Sequence, residues 1–293
     1  MKNAAIILTF NESIHLERCV KSLQSYFNQI YIVDSFSTDQ TKKIAQKLPV
    51  IFLENKFINH SQQFNWALKK IDKNTGWVLR IDADEYLTNA LGAEISTKLE
   101  KLDNSINGIF IPRKIIFKDK LIRFGGINQT KVLRLFRYGY GKCDDRWMDE
   151  HIHVRGKKIA FTNSIIDENL KSLTWWINKH NSYASKEAYE LIKLKILTNQ
   201  GAEIKNNLEN RKIKYYYKTP IILRSILYFI YRYFFNVGFL DGLRGFCFHF
   251  MQAFWYRLLV DMKYLEVMDK YKNKKHSLKK AIKENLLIDI KSN

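Results

Sequence analysis

The sequence is poor in several residue types, and each shortage narrows the possible functions. Its 293 residues include only three cysteines, Cys19, Cys143 and Cys247, which lie far apart and in no metal-ligand spacing. This excludes a zinc finger or a disulfide framework, and we expect reduced thiols in a cytosolic compartment. There are only three prolines and no stretch of low complexity, so no disordered linker is predicted.

Acidic residues are also scarce, because 29 Asp and Glu face 49 Lys and Arg, for a net charge of +20. Such a charge indicates a negatively charged partner: nucleic acid, an anionic membrane surface or a phosphorylated ligand. A nucleic-acid-binding protein would cluster its basic residues with stacking aromatic side chains. Here they are spread along the chain, so we expect no nucleic-acid partner. A basic binding module without catalysis stays the alternative from another class.

The beginning of the chain, MKNAAIILTF, shows no secretory signal. One lysine and a short apolar run are followed by Asn11 and Glu12, without a small-residue cleavage site. The run instead predicts a first β-strand.

The first 90 residues alternate between short apolar runs and stretches with helical periodicity. Predicted strands cover 5–9, 30–33, 50–53 and 77–81, and the helices between them cover 16–27, 39–48 and 61–71. This alternation predicts right-handed crossovers and a mostly parallel sheet, whose ligands bind beyond the carboxyl ends of the strands. Asn11, Asp34 and Asp82 each follow such an end.

The pattern of apolar and polar residues changes after Gly108. Short β-like runs broken by glycines predict hairpins and loops that cover the edge of the sheet, and the chain turns helical from Leu170. We therefore predict an α/β domain over residues 1–165 and a helical region over residues 166–293.

Two aromatic segments stand out in the helical region, residues 221–240 and 245–260. The first is about long enough to span a bilayer, but Arg224 and Arg232 interrupt it. Because aromatic side chains and arginines are mixed, both segments suit helices that lie in the headgroup layer of a membrane. The alternative is an ordinary buried helical pair.

Asp82 and Asp84 directly follow the predicted strand at 77–81. On an extended chain, residues i and i+2 point the same way, so both carboxylates could share one hard cation. Mg²⁺ or Mn²⁺ usually takes one or two carboxylates and completes its shell with phosphate oxygens. The pair therefore predicts a metal site.

Three motifs occur in a fixed order along the predicted edge of the sheet. Residues 9–12 are TFNE, residues 34–41 (DSFSTDQT) fit D-x-x-S-x-D-x-T, and residues 77–85 are WVLRIDADE. Together they resemble glycosyltransferase family 2, inverting nucleotide-sugar enzymes with the GT-A fold. The resemblance covers roughly residues 3–165 and implies a Rossmann-like, mostly parallel sheet.

The resemblance implies a role for each matching residue. Asp34 would accept a hydrogen bond from a uracil ring. Asp82 would face the ribose or the sugar, and Asp84 would hold the Mn²⁺ or Mg²⁺ that bridges the diphosphate. Three residues would line the nucleotide pocket: Thr9, Asn11 and Glu12. Capping of a helix is the alternative for Asn11, Ser37 and Asp39.

One position departs from the family pattern. Asn65 fits the family's nucleotide-sugar site, but Phe64 stands where Arg or Lys is common. The phosphate charge would then be met by the metal and by another base, such as Arg80 or Lys56.

An inverting transfer needs a general base for the acceptor hydroxyl. The family places an acid in a segment such as residues 147–151 (WMDEH), where Glu150 directly precedes a histidine. We predict Glu150 as the base, with Asp149 second; an ion pair with Arg146 or Arg155 is the alternative. His151 and His153 are candidate metal or phosphate ligands or structural histidines.

Four residues of the following helix are candidate acceptor contacts, although tandem tryptophans also pack in cores: Trp175, Trp176, His180 and Asn181.

The resemblance therefore predicts transfer of a hexose, glucose or galactose, from a UDP-sugar to a polyprenyl-diphosphate-linked saccharide. This reaction would belong to surface polysaccharide or O-antigen biosynthesis, with the protein bound peripherally to the cytoplasmic face of a bacterial membrane. A lipopolysaccharide core sugar is the alternative acceptor. A nucleotidyltransferase needs a glycine-rich phosphate loop, and residues 9–12 contain no glycine.

Overall fold

The computed structural model describes residues 2–127, 130–144, 152–199, 219–273 and 277–288, without the side chains of residues 194–199 and 221. The chain divides into two units, Met1–Leu170 and Lys171–Asn293.

Four parallel strands form one half of the sheet in the first unit. They pair in the order β3-β2-β1-β4. Their ranges are β1 Lys2–Thr9, β2 Gln29–Asp34, β3 Ile51–Glu54 and β4 Thr75–Asp82. β1, β2 and β4 are nearly continuous apolar runs and are mostly buried, as is usual for parallel strands covered on both faces.

Later strands extend the sheet beyond β4. β8 pairs antiparallel with both β4 and β6, and the order continues β4-β8-β6-β12-β5. β9 and β10 form a separate antiparallel ribbon. The ranges are β5 Glu85–Leu87, β6 Ile106–Phe117, β7 Lys120–Ile122, β8 Lys131–Arg137, β9 Gly141–Cys143, β10 Ile152–Val154, β11 Lys157–Ala160 and β12 Ile165–Glu168.

Helices cover both faces of the sheet: α1 Leu16–Leu23, α2 Thr41–Ala45, α3 His60–Leu68 and α4 Asn89–Lys98. Alternate residues of β1 enter two different cores. Ile7 packs with α1 and α4, whereas Ile6 packs with Phe64 of α3 and Phe136 of β8. This three-layer arrangement confirms the predicted α/β class.

The three helices predicted in the first 90 residues are all shorter than expected, and the one predicted over 61–71 spans His60–Leu68. The predicted helix 39–48 begins only at Thr41, because the Asp39 carboxylate accepts the N–H of Thr41, 2.9 Å away, in a turn before the helix. The predicted helix 16–27 ends at Leu23, although Phe27 is still buried. Apolar periodicity therefore continues past the end of the helix.

The predicted domain boundary at residue 165 falls at the start of β12. This strand pairs with β6 and β5, so sheet structure continues to Glu168.

The second unit is helical: α5 Leu173–Asn199, α6 Ile221–Ile230, α7 Gly242–His249, α8 Tyr256–Lys272 and α9 Leu278–Leu286. π-helical turns occur at Tyr231–Phe235 and Phe250–Trp255, and a 3₁₀ turn occurs at Gly238–Asp241. The apolar core of this unit lies between α5, α8 and α9.

The predicted aromatic segment 221–240 is not one helix. Its helical turns stop before Asn236, and Val237 has a left-handed φ of 50°. Within the described parts of the chain, no helix combines the length and the apolar character needed to cross a membrane.

Candidate active site

The carboxyl ends of three neighbouring strands bring the predicted site residues into one row. In the register of the sheet, Thr9 of β1 lies beside Asp34 of β2, and Leu8 lies beside Asp82 of β4. Adjacent strands are about 5 Å apart, so the loops that follow β1, β2 and β4 open on the same edge.

Asp34 joins the first two strand ends. Its fully buried carboxylate accepts hydrogen bonds from Thr9 Oγ1 at 2.8 Å and from Ser37 N and Oγ at 2.6 Å. These donors satisfy a charge that would be costly to bury alone. The observed role is to hold the wall of the site together, and a hydrogen bond to uracil stays a prediction.

Asn11 joins the β1–α1 loop to the β2–α2 loop. Its main-chain N–H donates to Ser37 Oγ at 2.8 Å, and its side-chain oxygen accepts the N–H of Thr38 at 2.8 Å. Asn11 has a left-handed φ of 55°, which asparagine tolerates better than most residues. Since α1 begins only at Leu16, Asn11 does not cap it.

Glu12 adds a third connection at this edge. Its main-chain N–H donates to Thr41 Oγ1 at 2.8 Å, and its carboxylate lies 2.6 Å from Nδ1 of the buried His15. Nε2 of His15 accepts the N–H of Leu170 at 2.8 Å, so Nδ1 carries the proton that is donated to Glu12.

The Asp-x-Asp segment is a turn, which corrects the extended geometry expected from the sequence. β4 ends at Asp82, the chain turns through Ala83 and Asp84, and β5 begins at Glu85. The two aspartates therefore have different partners. Asp82 accepts from Arg134 Nη2 at 2.8 Å, and Asp84 accepts from Asn169 Nδ2 at 2.9 Å.

Arg134 of β8 is shared between two carboxylates. The same Nη2 atom donates to Asp82 Oδ2 and to Glu85 Oε1, each at 2.8 Å, and Glu85 Oε2 accepts the N–H of Asp82 at 3.1 Å. Arg134 and Glu85 are buried, whereas the side chain of Asp82 is 41% exposed. This closed ring fixes the turn and leaves Asp82 facing the site.

One arginine does not neutralise the half-exposed Asp82 and the buried Glu85 equally. Burial opposes ionisation of Asp82, but the charges of Arg134 and Arg80 outweigh it and hold the pKa of Asp82 well below its usual range. Burial and the charge of Asp82 raise the pKa of Glu85 to about 8, against the effect of Arg134. Asp82 is therefore the ionised member of the pair at neutral pH.

The structure explains the phenylalanine that departs from the family pattern. Phe64 is fully buried and packs edge-on against Phe136, with their ring centroids 6.2 Å apart. The Arg80 guanidinium lies 5.5 Å from the centre of the Phe64 ring, and Arg80 is buried. Position 64 thus belongs to the core, and cationic groups reach Asp82 from β4 and β8 instead. Lys56 is exposed.

Asn65 anchors the ribbon that carries the predicted base segment. Its side-chain amide donates to the carbonyl of Cys143 at 2.8 Å and accepts its N–H at 2.9 Å. One helical turn earlier, Ser61 donates to the carbonyl of Asp144, whose carboxylate lies 2.5 Å from His153 Nε2. The role of Asn65 in nucleotide-sugar binding stays a prediction.

The two predicted bases, Glu150 and Asp149, lie outside the described residues, as does His151. The ends of their segment are nevertheless defined, because Cys143 pairs with Ile152 across the β9–β10 ribbon. The described residues that flank this segment therefore lie next to each other, and Cys143 is bonded to Asn65 of α3.

The predicted acceptor contacts belong to the second unit. The rings of Trp176 and His180 stack with centroids 3.5 Å apart, and burial lowers the pKa of His180. Two lysines, Lys171 and Lys179, lie over the ring of Trp175. Acceptor binding by these residues stays a prediction.

No group of three or more His, Cys, Asp or Glu that could hold a metal alone occurs among the described residues. The donor chemistry still fits Mg²⁺ or Mn²⁺, because these ions often take one or two carboxylates and complete their shell with substrate phosphates. Asp82 and Asp84 use Oδ2 for their protein partners and lie at a partly exposed turn.

Sequence reasoning missed Arg134, Glu85 as its partner, and Asn169. A signal existed for Arg134, since it interrupts the apolar strand KVLRLFR at a buried position. A buried arginine needs an acidic partner, but the sequence does not tell which one.

Comparison with known proteins gives one family. The model of the family described as Glycosyl transferase family 2 matches residues 4–168. An uncharacterised glycosyltransferase of Rickettsia conorii is 26% identical over 262 residues, which cover 83% of this chain and 85% of the relative. The prophage-derived glycosyltransferase SunS of Bacillus subtilis is 35% identical over 133 residues, 45% of this chain and 30% of SunS.

Similar solved structures include Staphylococcus aureus TarS residues 1–349 in complex with UDP-GlcNAc. The similarity covers 97% of this chain and 91% of TarS, with a TM-score of 0.45 and 15% identity. Glucosyl-3-phosphoglycerate synthase of Mycobacterium tuberculosis, solved with Mn²⁺, UDP and glucosyl-3-phosphoglycerate, matches over 39% of this chain and 44% of that chain, with a TM-score of 0.31 and 16% identity.

The sharing of Arg134 by two acids predicts a pH-dependent loss of stability in Arg134→Met. The native chain already loses stability as the pH rises toward 8, because folded Glu85 holds its proton longer than the unfolded chain does. Without the cation, Asp82 also holds a proton in the folded state that the unfolded chain has released, so the variant loses more stability than the native chain as the pH rises. We expect a cost of about 2–3 kcal/mol near pH 8, discounted for the exposure of Asp82, and a smaller cost near pH 5.

Urea denaturation at both pH values measures this difference. Arg134→Lys is the matched control and should recover most of the stability, because a single nitrogen makes both contacts in the native chain. An equal cost of Arg134→Met at the two pH values would contradict the assignment.

Proposed function

Because the chain belongs to glycosyltransferase family 2 and is a glycosyltransferase, we propose that the edge formed by the ends of β1, β2 and β4 binds a UDP-sugar and transfers its sugar with inversion. The observation that supports this most is the direct bonding of the β1–α1 loop to the β2–α2 loop through Asn11 and Ser37, one strand away from the acidic turn at Asp82. In the proposal, the joined loops would hold the nucleoside and the acidic turn would face the diphosphate.

The base of the nucleotide would lie between two exposed aromatic rings. Phe10 and Phe36 are both more than half exposed, and each directly precedes one of the residues joined by the Asn11–Ser37 hydrogen bond. Phe36 has a left-handed φ of 60°, which is costly for a bulky residue and is typical of functional sites. Stacking on aromatic rings is a common way to bind a base.

Asp84 and Asp82 would hold Mn²⁺ or Mg²⁺ together with the diphosphate. The ion supplies positive charge that stabilises the leaving UDP. Arg134 keeps Asp82 ionised, and Asn169 and Arg18 restrain the turn through the side chain and the carbonyl of Asp84.

The transfer needs one base on the acceptor side. The acceptor oxygen attacks the anomeric carbon as the bond from that carbon to the UDP oxygen breaks, and the hydroxyl proton passes to Glu150, or to Asp149 as the second candidate. The anchoring of the β9–β10 ribbon by Asn65 and Ser61 would position this segment.

For the substrates, we propose a hexose donor, UDP-glucose or UDP-galactose, and a polyprenyl-diphosphate-linked saccharide acceptor of surface polysaccharide or O-antigen assembly. The net charge of +20 suits an anionic membrane surface, and we place the protein peripherally on the inner face of the bacterial membrane. A lipopolysaccharide core sugar is the alternative acceptor.

A turnover assay tests the proposal. UDP-sugars are incubated with a lipid-diphosphate-linked saccharide, with Mn²⁺ or EDTA, and product configuration is read by NMR. We expect inversion, no turnover in EDTA, and kcat lowered at least about 100-fold by Glu150→Gln, the lower limit for a lost general base. Asp84→Asn should remove the response to Mn²⁺, whereas Asp103→Asn, an exposed control in the same unit, should act like the native chain.

Full activity of Glu150→Gln would refute the base assignment, and a native rate in EDTA would refute the metal role. If no UDP-sugar is turned over and the chain instead binds heparin and duplex DNA tightly, the alternative of a basic binding module replaces the transferase proposal.

The strained Phe36 predicts that a substitution can weaken donor binding without a loss of stability. A left-handed conformation costs a bulky residue about 1–2 kcal/mol, and glycine adopts it without this cost. The free energy of unfolding of Phe36→Gly should therefore stay level or rise. Loss of stacking should raise the KM for the UDP-sugar roughly tenfold. Thermal unfolding and initial rates measure both effects. Phe36→Tyr keeps the ring and should keep the KM; an unchanged KM in Phe36→Gly would count against stacking.

A further inference from the structure

Residues 221–255, which we call the aromatic hairpin, have inverted polarity. The hairpin comprises α6, the turn to α7, α7 itself and the π-helical turn after it. Its interior is polar: the buried side chains include Arg224, Ser225, Arg232, Asp241 and His249. The only buried hydrophobic side chains in its described part are Phe248 and Ala253.

The outer surface of the hairpin is apolar. Phe235 and Leu243 are 78% and 79% exposed. Among its described exposed residues, only Gly242 and Arg244 are neither aliphatic nor aromatic. The others are Ile222, Leu223, Ile226, Leu227, Tyr231, Phe234, Phe235, Val237, Phe239, Leu240, Leu243, Phe246 and Phe250. A contiguous surface of this kind is rare on a protein that faces only water.

The two buried arginines of the hairpin have polar partners within the second unit. Arg224 pairs with Asp261 of α8, its Nε 2.7 Å from Oδ2, and both side chains are buried. Arg232 donates to Gln252 at 2.9 Å. Burial and the charge of Arg232 lower the pKa of His249 to about 4, so its ring is neutral. Charged groups that face inward and find partners there, beneath an apolar outer surface, are typical of helices surrounded by lipid.

The first arm of the hairpin is too short to cross a bilayer, and its reversal favours a re-entrant course. α6 and its π-helical turn have ten and five residues, about 22 Å of helix, whereas the hydrocarbon core is about 30 Å thick. The chain then reverses through Val237 and Gly242, whose φ angles are 50° and 67°. A groove between α6 and α8, with a volume of about 470 Å³, is lined by Pro220, Ile222, Leu223, Ile226, Met262 and Leu265.

We propose that the aromatic hairpin inserts into the hydrocarbon of one leaflet of an anionic bilayer, rather than being adsorbed to the headgroups. A protein partner would call for a polar rim around an apolar centre, and the exposed residues here include a single charge, the cation of Arg244. This inference rests on the membrane-surface location proposed above and deepens it by naming the element that enters the lipid.

Vesicle flotation of the full chain tests the insertion. Vesicles of phosphatidylcholine with about one third phosphatidylglycerol are used at low salt and in about 1 M NaCl, where charge attraction is screened. The native chain should float in both. Phe235→Ser/Leu243→Ser should reduce the bound fraction at least about tenfold in high salt, because two large apolar side chains are lost from lipid.

Leu287→Ser is the matched control, since Leu287 is 88% exposed in the same unit but outside the hairpin. It should float like the native chain. All three proteins should show the same circular dichroism and thermal unfolding, because the substituted side chains are exposed. Native flotation that disappears in high salt, or a double variant that floats normally, would overturn the proposal.

Light scattering without lipid tests whether a second copy of the chain covers the apolar surface of the hairpin. A stable native dimer that the double variant dissociates would assign the surface to self-association and overturn insertion. UDP release with a short water-soluble acceptor separates the two proposals: a floating but inactive native chain defeats only the proposed function, and an active chain that does not float defeats only insertion.

Discussion

The buried carboxylate of Asp34 is the constraint on which the candidate site depends. A charge without access to water must be satisfied by protein donors, and it takes them from Thr9 on the neighbouring strand and from Ser37 in its own loop. Ser37 then accepts the N–H of Asn11, which closes the two loops against each other. Asn11 and Phe36, which lie in these two loops, both have left-handed conformations. Hydrogen bonds at the strand ends thus hold the loops in these strained conformations.

A second constraint is that two carboxylates at the acidic turn share one arginine. Asp82 and Glu85 share one guanidinium, and Glu85 is the more deeply buried, so the negative charge concentrates on the acid that faces the site. This resolves how a chain with a net charge of +20 keeps an acidic centre. Arginines from β4 and β8 act on Asp82 from within the sheet, and its second carboxylate oxygen would face the proposed cation.

The sequence predicted features that depend on neighbours along the chain. Apolar runs identified β1, β2 and β4, and the parallel order placed Asn11, Asp34 and Asp82 on one edge. The partners of these residues were less accessible, because Arg134 and Cys143 lie 52 and 78 residues from Asp82 and Asn65. Such pairings are set by the sheet and the ribbon, not by local pattern.

The helical region shows a different limit of sequence reasoning. Periodicity in 221–240 separates an apolar face from a face with Arg224 and Arg232, but it does not tell which face points outward. If the segment were a helix of a water-soluble protein, the arginines would be expected on its outer face. The structure instead buries both arginines. Tertiary partners, Asp261 for Arg224 and Gln252 for Arg232, help to make the inverted arrangement tolerable.

The central claim is that one edge of the sheet receives both the nucleotide and its cation. The most direct test is diffraction from crystals grown with UDP and Mn²⁺, with anomalous data collected at the manganese edge. The account predicts an anomalous peak within bonding distance of Asp84, contacting the diphosphate, with the uracil ring against Phe10 or Phe36. A manganese peak away from Asp82 and Asp84, or a nucleotide bound elsewhere on the chain, would contradict it.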